Sequence, residues 1–197
     1  MSGRLDVVPA QKEKGPWTHF VWRLNGGREL RLVDPRKFGI VWYGSKKDFE
    51  RDSYLGRLGR DPRAVPAKDF LKLFRRARGM VKPFLLRQDM FAGIGNIIAD
   101  ESLWQACIHP RQDIPHLSVS EIAVLRRALQ RTIREILARG GTTLRNWGGP
   151  DGTSGAYQLR RRGYGRAGKP CPRCTTTLER LIVSGRGTTI CPRCQRI

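Results

Sequence analysis

Cys171-Pro172-Arg173-Cys174 and Cys191-Pro192-Arg193-Cys194 lie near the end of the 197-residue sequence, and together they read C-x2-C-x16-C-x2-C. This is the ligand spacing of a tetrahedral structural zinc site. A Pro-Arg pair between two cysteines makes a tight knuckle. It turns both sulfurs toward one ion and brings backbone amides close to them. Four protein ligands leave no open coordination position, so one Zn2+ per chain, held by Cys171, Cys174, Cys191 and Cys194, is expected to stabilise the fold and carry no chemistry. Pairing the four as two disulfides would leave Cys107 without a partner, and no signal peptide opens the sequence. Zinc in a reducing, cytoplasmic compartment is the expectation.

Between the knuckles, residues 178–184 read as one strand, Gly185-Arg186-Gly187 as a turn, and Thr188 to Ile190 as the return strand. The charge around this ribbon points to its partner. Net charge is +21 with pI near 11.1, the electrostatic footprint of a polyanion binder. From Gly140 onward eleven basic residues face two acids, Asp151 and Glu179. Most of the eleven are arginines, whose planar forks suit bidentate phosphate contacts. A solvated basic face, as on ribosomal proteins, is the plainer alternative. Hydrophobic content of 39% supports a packed core, and no apolar run is long enough to span a membrane.

Working back from the ribbon, residues 142–168 are rich in glycine, threonine and arginine, and long for a connection inside a compact domain. A loop facing substrate is expected there. Residues 61–141 read as helical. The stretch 67–78 places Phe70, Leu71, Leu73 and Phe74 on one side, and 83–90 starts on a proline that the first turn tolerates. Gly93-Ile94-Gly95-Asn96 then feeds an apolar stretch, 97–107. The longest helix opens at Ser118 with Glu121 three residues on, a capping box. Ile122, Leu125, Leu129, Ile133 and Ile136 follow at helical spacing, and Gly140-Gly141 ends it. Residues 1–60 look β-rich, with a hairpin of 18–24 and 28–33 about Asn25-Gly26-Gly27 and a further strand at 40–43. Nothing within those sixty residues covers the apolar face of such a sheet. The whole is an α+β chain with a partial N-terminal β-sheet lobe (1–60), a helical domain (61–141), a loop and linker (142–168) and a β-hairpin zinc finger (169–197).

Several motifs in this order resemble the formamidopyrimidine-DNA glycosylase family. Asp34-Pro35-Arg36-Lys37-Phe38-Gly39 is similar to its Asp-Pro-Arg-Arg-Phe-Gly motif, with lysine for the second arginine. Residues 88–101, centred on Gly93-Ile94-Gly95-Asn96, resemble its helix–two-turn–helix. Gly140-Gly141-Thr142-Thr143-Leu144, Tyr164-Gly165-Arg166 and the zinc knuckles complete the series. The resemblance implies a base-excision-repair glycosylase and lyase that flips oxidised purines out of double-stranded DNA and also meets abasic sites. It maps the residues that fill the emptied stack onto Met1, Arg36 and Phe38. Phosphate contacts fall on Asn96 and Arg186, with Lys82 and His19 as further matches. A monomer acting at the bacterial nucleoid is expected. An aromatic wedge between base steps and a guanidinium on the orphaned base are physically apt for that task. Read without the resemblance, Phe38 is a strand residue, Arg36 a turn residue, Asn96 an N-cap and His19 a structural histidine.

The family's chemistry uses an N-terminal proline amine, a glutamate directly after it and a lysine later in the first lobe. The sequence opens Met1-Ser2-Gly3, so no residue is assigned as catalytic and the 197 residues by themselves are expected to be inert. A non-catalytic binder of damaged DNA and an endonuclease VIII-like enzyme acting on oxidised pyrimidines are the neighbouring readings. An unrelated zinc-ribbon protein of RNA is the distant one.

Overall fold

A computed structural model describes residues 3–52, 54–143 and 148–197. The chain forms two compact units: Met1–Gly44 with Glu135–Arg160, and Ser45–Arg134 with Arg161–Ile197. The helical segment and the zinc ribbon, set apart in the sequence reading, belong to the same unit. Residues 142–168 are divided between the two units.

The first unit is built on a three-stranded antiparallel sheet of β1 (Arg4–Pro9), β2 (Thr18–Leu24) and β3 (Arg28–Val33), in the order β1-β3-β2. The expected hairpin is there, turning on Gly26 and Gly27 at φ 73° and 65°, a region open to glycine. β1 has no counterpart among the sequence expectations, and pairs Leu5 with Leu32 and Val7 with Leu30. β2 sets Phe20 against Leu32 and Trp22 against Leu30 beyond an irregularity at Thr18/Phe20. These pairings put the apolar side chains on one face, where Leu5, Phe20 and Leu24 remain 38–43% exposed. The other face holds a buried ion pair, Arg31 to Glu29 at 2.9 Å. Arg31 also donates to the carbonyls of Lys12 (2.6 Å) and Glu13 (3.0 Å), which ties the β1–β2 connection down.

Residues 40–43 do not form the expected strand. Ile40 and Tyr43 are 80% and 99% exposed; the apolar run finds no strand to pair with among the described residues, and a lone strand gains nothing. The loop after the longest helix closes with Tyr157 donating its N–H to Gly141 and Ala156 to Arg139. A Cβ on Gly155 would lie 2.4 Å from the Gly141 backbone, so only glycine fits this crossing.

The second unit contains α1 (Lys46–Asp52), α2 (Ala67–Arg76), α3 (Val81–Leu85), α4 (Asn96–Ala106), α5 (Val119–Leu137, whose last turn passes into the first unit), β4 (Glu179–Val183) and β5 (Arg186–Ile190). α1 falls inside the stretch expected to be β-rich, and Ser45 Oγ accepts the Asp48 N–H (3.3 Å) at its start. The core of this unit is a group of four phenylalanines, Phe70, Phe74, Phe84 and Phe91, with ring centroids 4.7–6.4 Å apart. Leu103, Ile122, Leu125 and Leu129 join them. Each such side chain contributes about 1.5–3 kcal/mol of burial. The helix expected over 83–90 instead runs Val81–Leu85, with Pro83 still inside the first turn, where a missing amide costs nothing. The capping box of α5 forms as expected: Glu121 donates its N–H to Ser118 Oγ (3.2 Å), and the Glu121 carboxylate accepts the Ser118 N–H (2.8 Å). Ser184 and Gly185, both at positive φ, make a tighter ribbon turn than expected, so Arg186 and Gly187 are already in β5 and Arg186 pairs with Val183. Among the described residues no helix is long and apolar enough to cross a membrane.

Candidate nucleic-acid interface and metal centre

The turn before α4 is assembled by one side chain. Gln88 accepts the Gly93 N–H (2.9 Å) and donates to the carbonyls of Leu86 (3.1 Å) and Ile94 (2.9 Å). Gly93, at φ 83°, then reverses the chain, and Gly95 takes the N-cap position with no side-chain hydrogen bond. Asn96 is therefore the first helical residue and not the cap. The first amides of α4 have no carbonyl one turn back, so their N–H groups and the positive end of the helix dipole face the same way.

The ribbon is fastened beside this helix end. Asn96 Nδ2 donates to the carbonyl of Gly187 at 2.8 Å. Lys82, fully buried, reaches Asp100 Oδ1 at 2.5 Å, Thr188 Oγ1 at 2.6 Å and the Gly187 carbonyl at 3.4 Å. Asp100 also accepts the Thr189 N–H at 3.1 Å. Burial raises the Asp100 carboxyl to about 6 against the pull of Lys82, and burial lowers the Lys82 ammonium. One helix turn thus clamps β5, with Arg186 exposed at its start. The placement revises the expectation for Lys82. Its ammonium is enclosed among protein groups, which suits positioning of the ribbon and gives no open approach for a phosphate.

Glu101 makes a second clamp. Its buried carboxylate accepts the N–H groups of Arg162, Gly163 and Tyr164 at 2.8–3.1 Å, which draws the segment entering the zinc finger onto α4. Neither Asp100 nor Glu101 stands out in the sequence as a site residue. The available signal is an acidic pair inside an otherwise apolar helix of a strongly basic chain.

At the metal centre the four cysteine sulfurs lie within 4.8 Å of one another. A tetrahedral Zn–S4 site, with bonds of about 2.3 Å, needs S···S separations of about 3.8 Å. Cys174 stands 3.4 Å from both Cys191 and Cys194, so small adjustments suffice. The knuckle amides point inward as the Pro-Arg turns implied: Arg173 N–H to Cys171 Sγ (3.5 Å) and Cys194 N–H to Cys191 Sγ (3.4 Å). The Thr176 hydroxyl pulls the Cys174 thiol down to about 6, while burial pushes Cys194 up to about 12. Clustered thiols ionise together only around a cation. The donor set fits a structural zinc ion. Trp104 and Leu178 pack against it, and Gln195 joins it to the end of α4 by accepting from Cys191 N–H and donating to the Ile108 carbonyl, each at 2.9 Å.

In the first unit, the loop after β3 is shaped by Asp34. Its buried carboxylate accepts the N–H groups of Arg36 (3.2 Å), Phe38 (2.8 Å) and Gly39 (2.8 Å). Lys37 sits at φ 56° within it. The result holds Phe38 outward, 75% exposed, with the Arg36 guanidinium 5.1 Å from the ring centroid. Phe38 is thus presented on a loop and is not a strand residue. His19 is exposed, its Nε2 paired with the Asp34 carbonyl at 2.9 Å, so it braces the same loop. Met1 lies outside the described residues.

Residues 58–147 match the helix–two-turn–helix domain of formamidopyrimidine-DNA glycosylases, and residues 168–197 match the zinc finger found in these enzymes and in isoleucyl-tRNA synthetases. The chain is 41% identical to the formamidopyrimidine-DNA glycosylase of Roseiflexus sp. (strain RS-1), across 100% of this chain and 72% of that protein. It is 42% identical to that of Geobacillus kaustophilus over the same shares. The crystal structure of the MutM (Fpg) protein from Thermus thermophilus superposes with TM-score 0.89 at 36% identity, covering 99% of this chain and 73% of that one. Lactococcus lactis Fpg in complex with DNA containing an abasic site superposes at 0.90 with 29% identity, covering 100% and 72%. With the helix–two-turn–helix, the four-cysteine ribbon and the Asp34 loop all in place, the chain belongs to the formamidopyrimidine-DNA glycosylase family.

Proposed function

We propose that this chain grips duplex DNA at an oxidised purine or an abasic site as part of a base-excision glycosylase and lyase. The observation that carries the reading is the edge where the open N-terminus of α4 at Asn96 meets Arg186 of β5. Free backbone amides and a guanidinium there address the same phosphate backbone. The Lys82–Asp100–Thr188 cluster holds that edge rigid from beneath. On the first unit, Phe38 fits the role of a wedge in the stack, and Arg36 that of a donor to the orphaned base. The action belongs in the bacterial cytoplasm, at the nucleoid.

The described residues bind and orient; we assign none of them to bond breaking. Lys82, whose ammonium is lowered by burial, has the depressed basicity of an amine nucleophile but no access to a sugar. Anisotropy with a duplex carrying a tetrahydrofuran abasic analogue, set against the undamaged duplex, tests the binding. Preference for the analogue is expected, with no borohydride-trapped adduct on a natural abasic site. Equal affinity for the two duplexes would sink the lesion-binding reading, and a trapped adduct would place an amine nucleophile within these 197 residues.

A further inference from the structure

A second concentration of positive charge lies at the far end of α4 from Asn96. A cleft of about 350 Å3 there is lined by Arg127 and Arg131 of α5, by Arg162, and by Arg173 of the first zinc knuckle, over Trp104 and Gln105; none of its lining residues is acidic. Trp104 and Gln105 lie eight and nine positions along α4 from Asn96, a rise of about 12–14 Å.

Arg173 is anchored in the cleft by the end of α4. It donates to the carbonyls of Trp104 and Gln105, both at 3.2 Å, and lies 4.4 Å over the indole ring. It also donates to Cys107 Sγ at 2.7 Å and touches the Cys194 thiol, so the charge most open to the cleft is that of the α5 arginines. Arg127 and Arg131 are exposed on successive turns of one helix face, an arrangement that repels itself. Like charges gathered in a concave surface concentrate a polyanion, and a set made wholly of arginine favours phosphate forks. Trp104 is 5% exposed beneath Arg173, which takes away the flat apolar surface that would seat a peptide side chain.

We propose that this cleft takes the sugar-phosphate backbone of a second DNA segment while the Asn96–Arg186 edge holds the first. The inference rests on the DNA-binding reading above and adds direct transfer between duplexes to it. Such a protein passes from one segment to another through a doubly bound state, without first dissociating.

The test follows dissociation from a short labelled abasic-analogue duplex, chased with increasing unlabelled duplex at constant ionic strength. For the unaltered chain the dissociation rate should rise with competitor concentration. R127E/R131E should lose that dependence. Its affinity for the short duplex should stay within about threefold, because the separation of the two sites exceeds a Debye length of about 8–10 Å at moderate salt. R127K/R131K, which keeps the charge, should retain most of the dependence, and a matching thermal melt excludes misfolding of either variant. A competitor-independent rate in the unaltered chain, or an undiminished dependence in R127E/R131E, would overturn the second site and leave the first intact. Failure of the labelled duplex to bind at all would instead overturn the DNA-binding reading.

Discussion

Arg186 and Asp34 show two ways in which a single side chain serves the same interface. Arg186 is exposed at the start of β5 beside Gly187, where nothing bulky separates its guanidinium from a backbone. Arg186→Ala should weaken binding to abasic-analogue duplex by about 1–3 kcal/mol, the range for a charge-assisted contact. The slope of log affinity against log salt should fall by about 1; an unchanged slope would remove Arg186 from the phosphate contacts. Asp34 acts one step back, as acceptor for three amides of the loop that presents Phe38. The sequence motif around it is legible, but the role of its aspartate is not. A carboxylate that organises local backbone leaves no periodic trace, and its partners lie only two to five residues on. Lys82 is the opposite case. It reads as a surface cation because lysines seldom lie fully buried without a partner, and that partner, Asp100, is eighteen positions away.

Among the elements, the zinc ribbon depends on its metal and α5 does not. The ribbon's own core is little more than Trp104, Leu178 and the cysteines, too small to hold two five-residue strands without the ion. Cys191→Ser should reduce zinc from one equivalent to near none by atomic absorption and collapse the near-ultraviolet signal of Trp104. The helical far-ultraviolet signal should largely survive, because the phenylalanine core is separate; stoichiometric zinc in the variant would contradict the site. The helices whose boundaries are legible, α4 and α5, carry strong local signals: a glycine entry, a capping box, a glycine exit. The failures are short elements. Residues 40–43 are a short apolar, strand-like run yet pair with no strand among the described residues, whereas β1 is held by pairing with β3 although its own residues announce little.

Across the molecule, buried charge ties stability to pH. Asp100 is raised from its ordinary 3.8 to about 6 because burial disfavours its ionised form more than Lys82 favours it. The native state therefore holds that proton more tightly than the unfolded chain does. The stabilising contribution of protonated Asp100 is fully present below about pH 4 and is lost as pH rises toward 6. The step is worth roughly 3 kcal/mol at most. Denaturant titrations of the unaltered chain and of Asp100→Asn should show their stability difference shrinking or reversing across that window as pH rises. A constant difference would mean that the carboxylate is better solvated than its burial implies.

The metal ligands, the strongly cationic surface and the order of family motifs follow from sequence alone, because each is a matter of residue identity and short spacing. The hairpin and the long helices follow for the same reason. Only the tertiary structure decided that the ribbon and the helical segment form one unit, that Lys82 supports the interface from beneath, and that four arginines from three segments converge on one cleft. Each of these depends on contacts between residues distant in the chain, and neither periodicity nor composition encodes which distant residues meet.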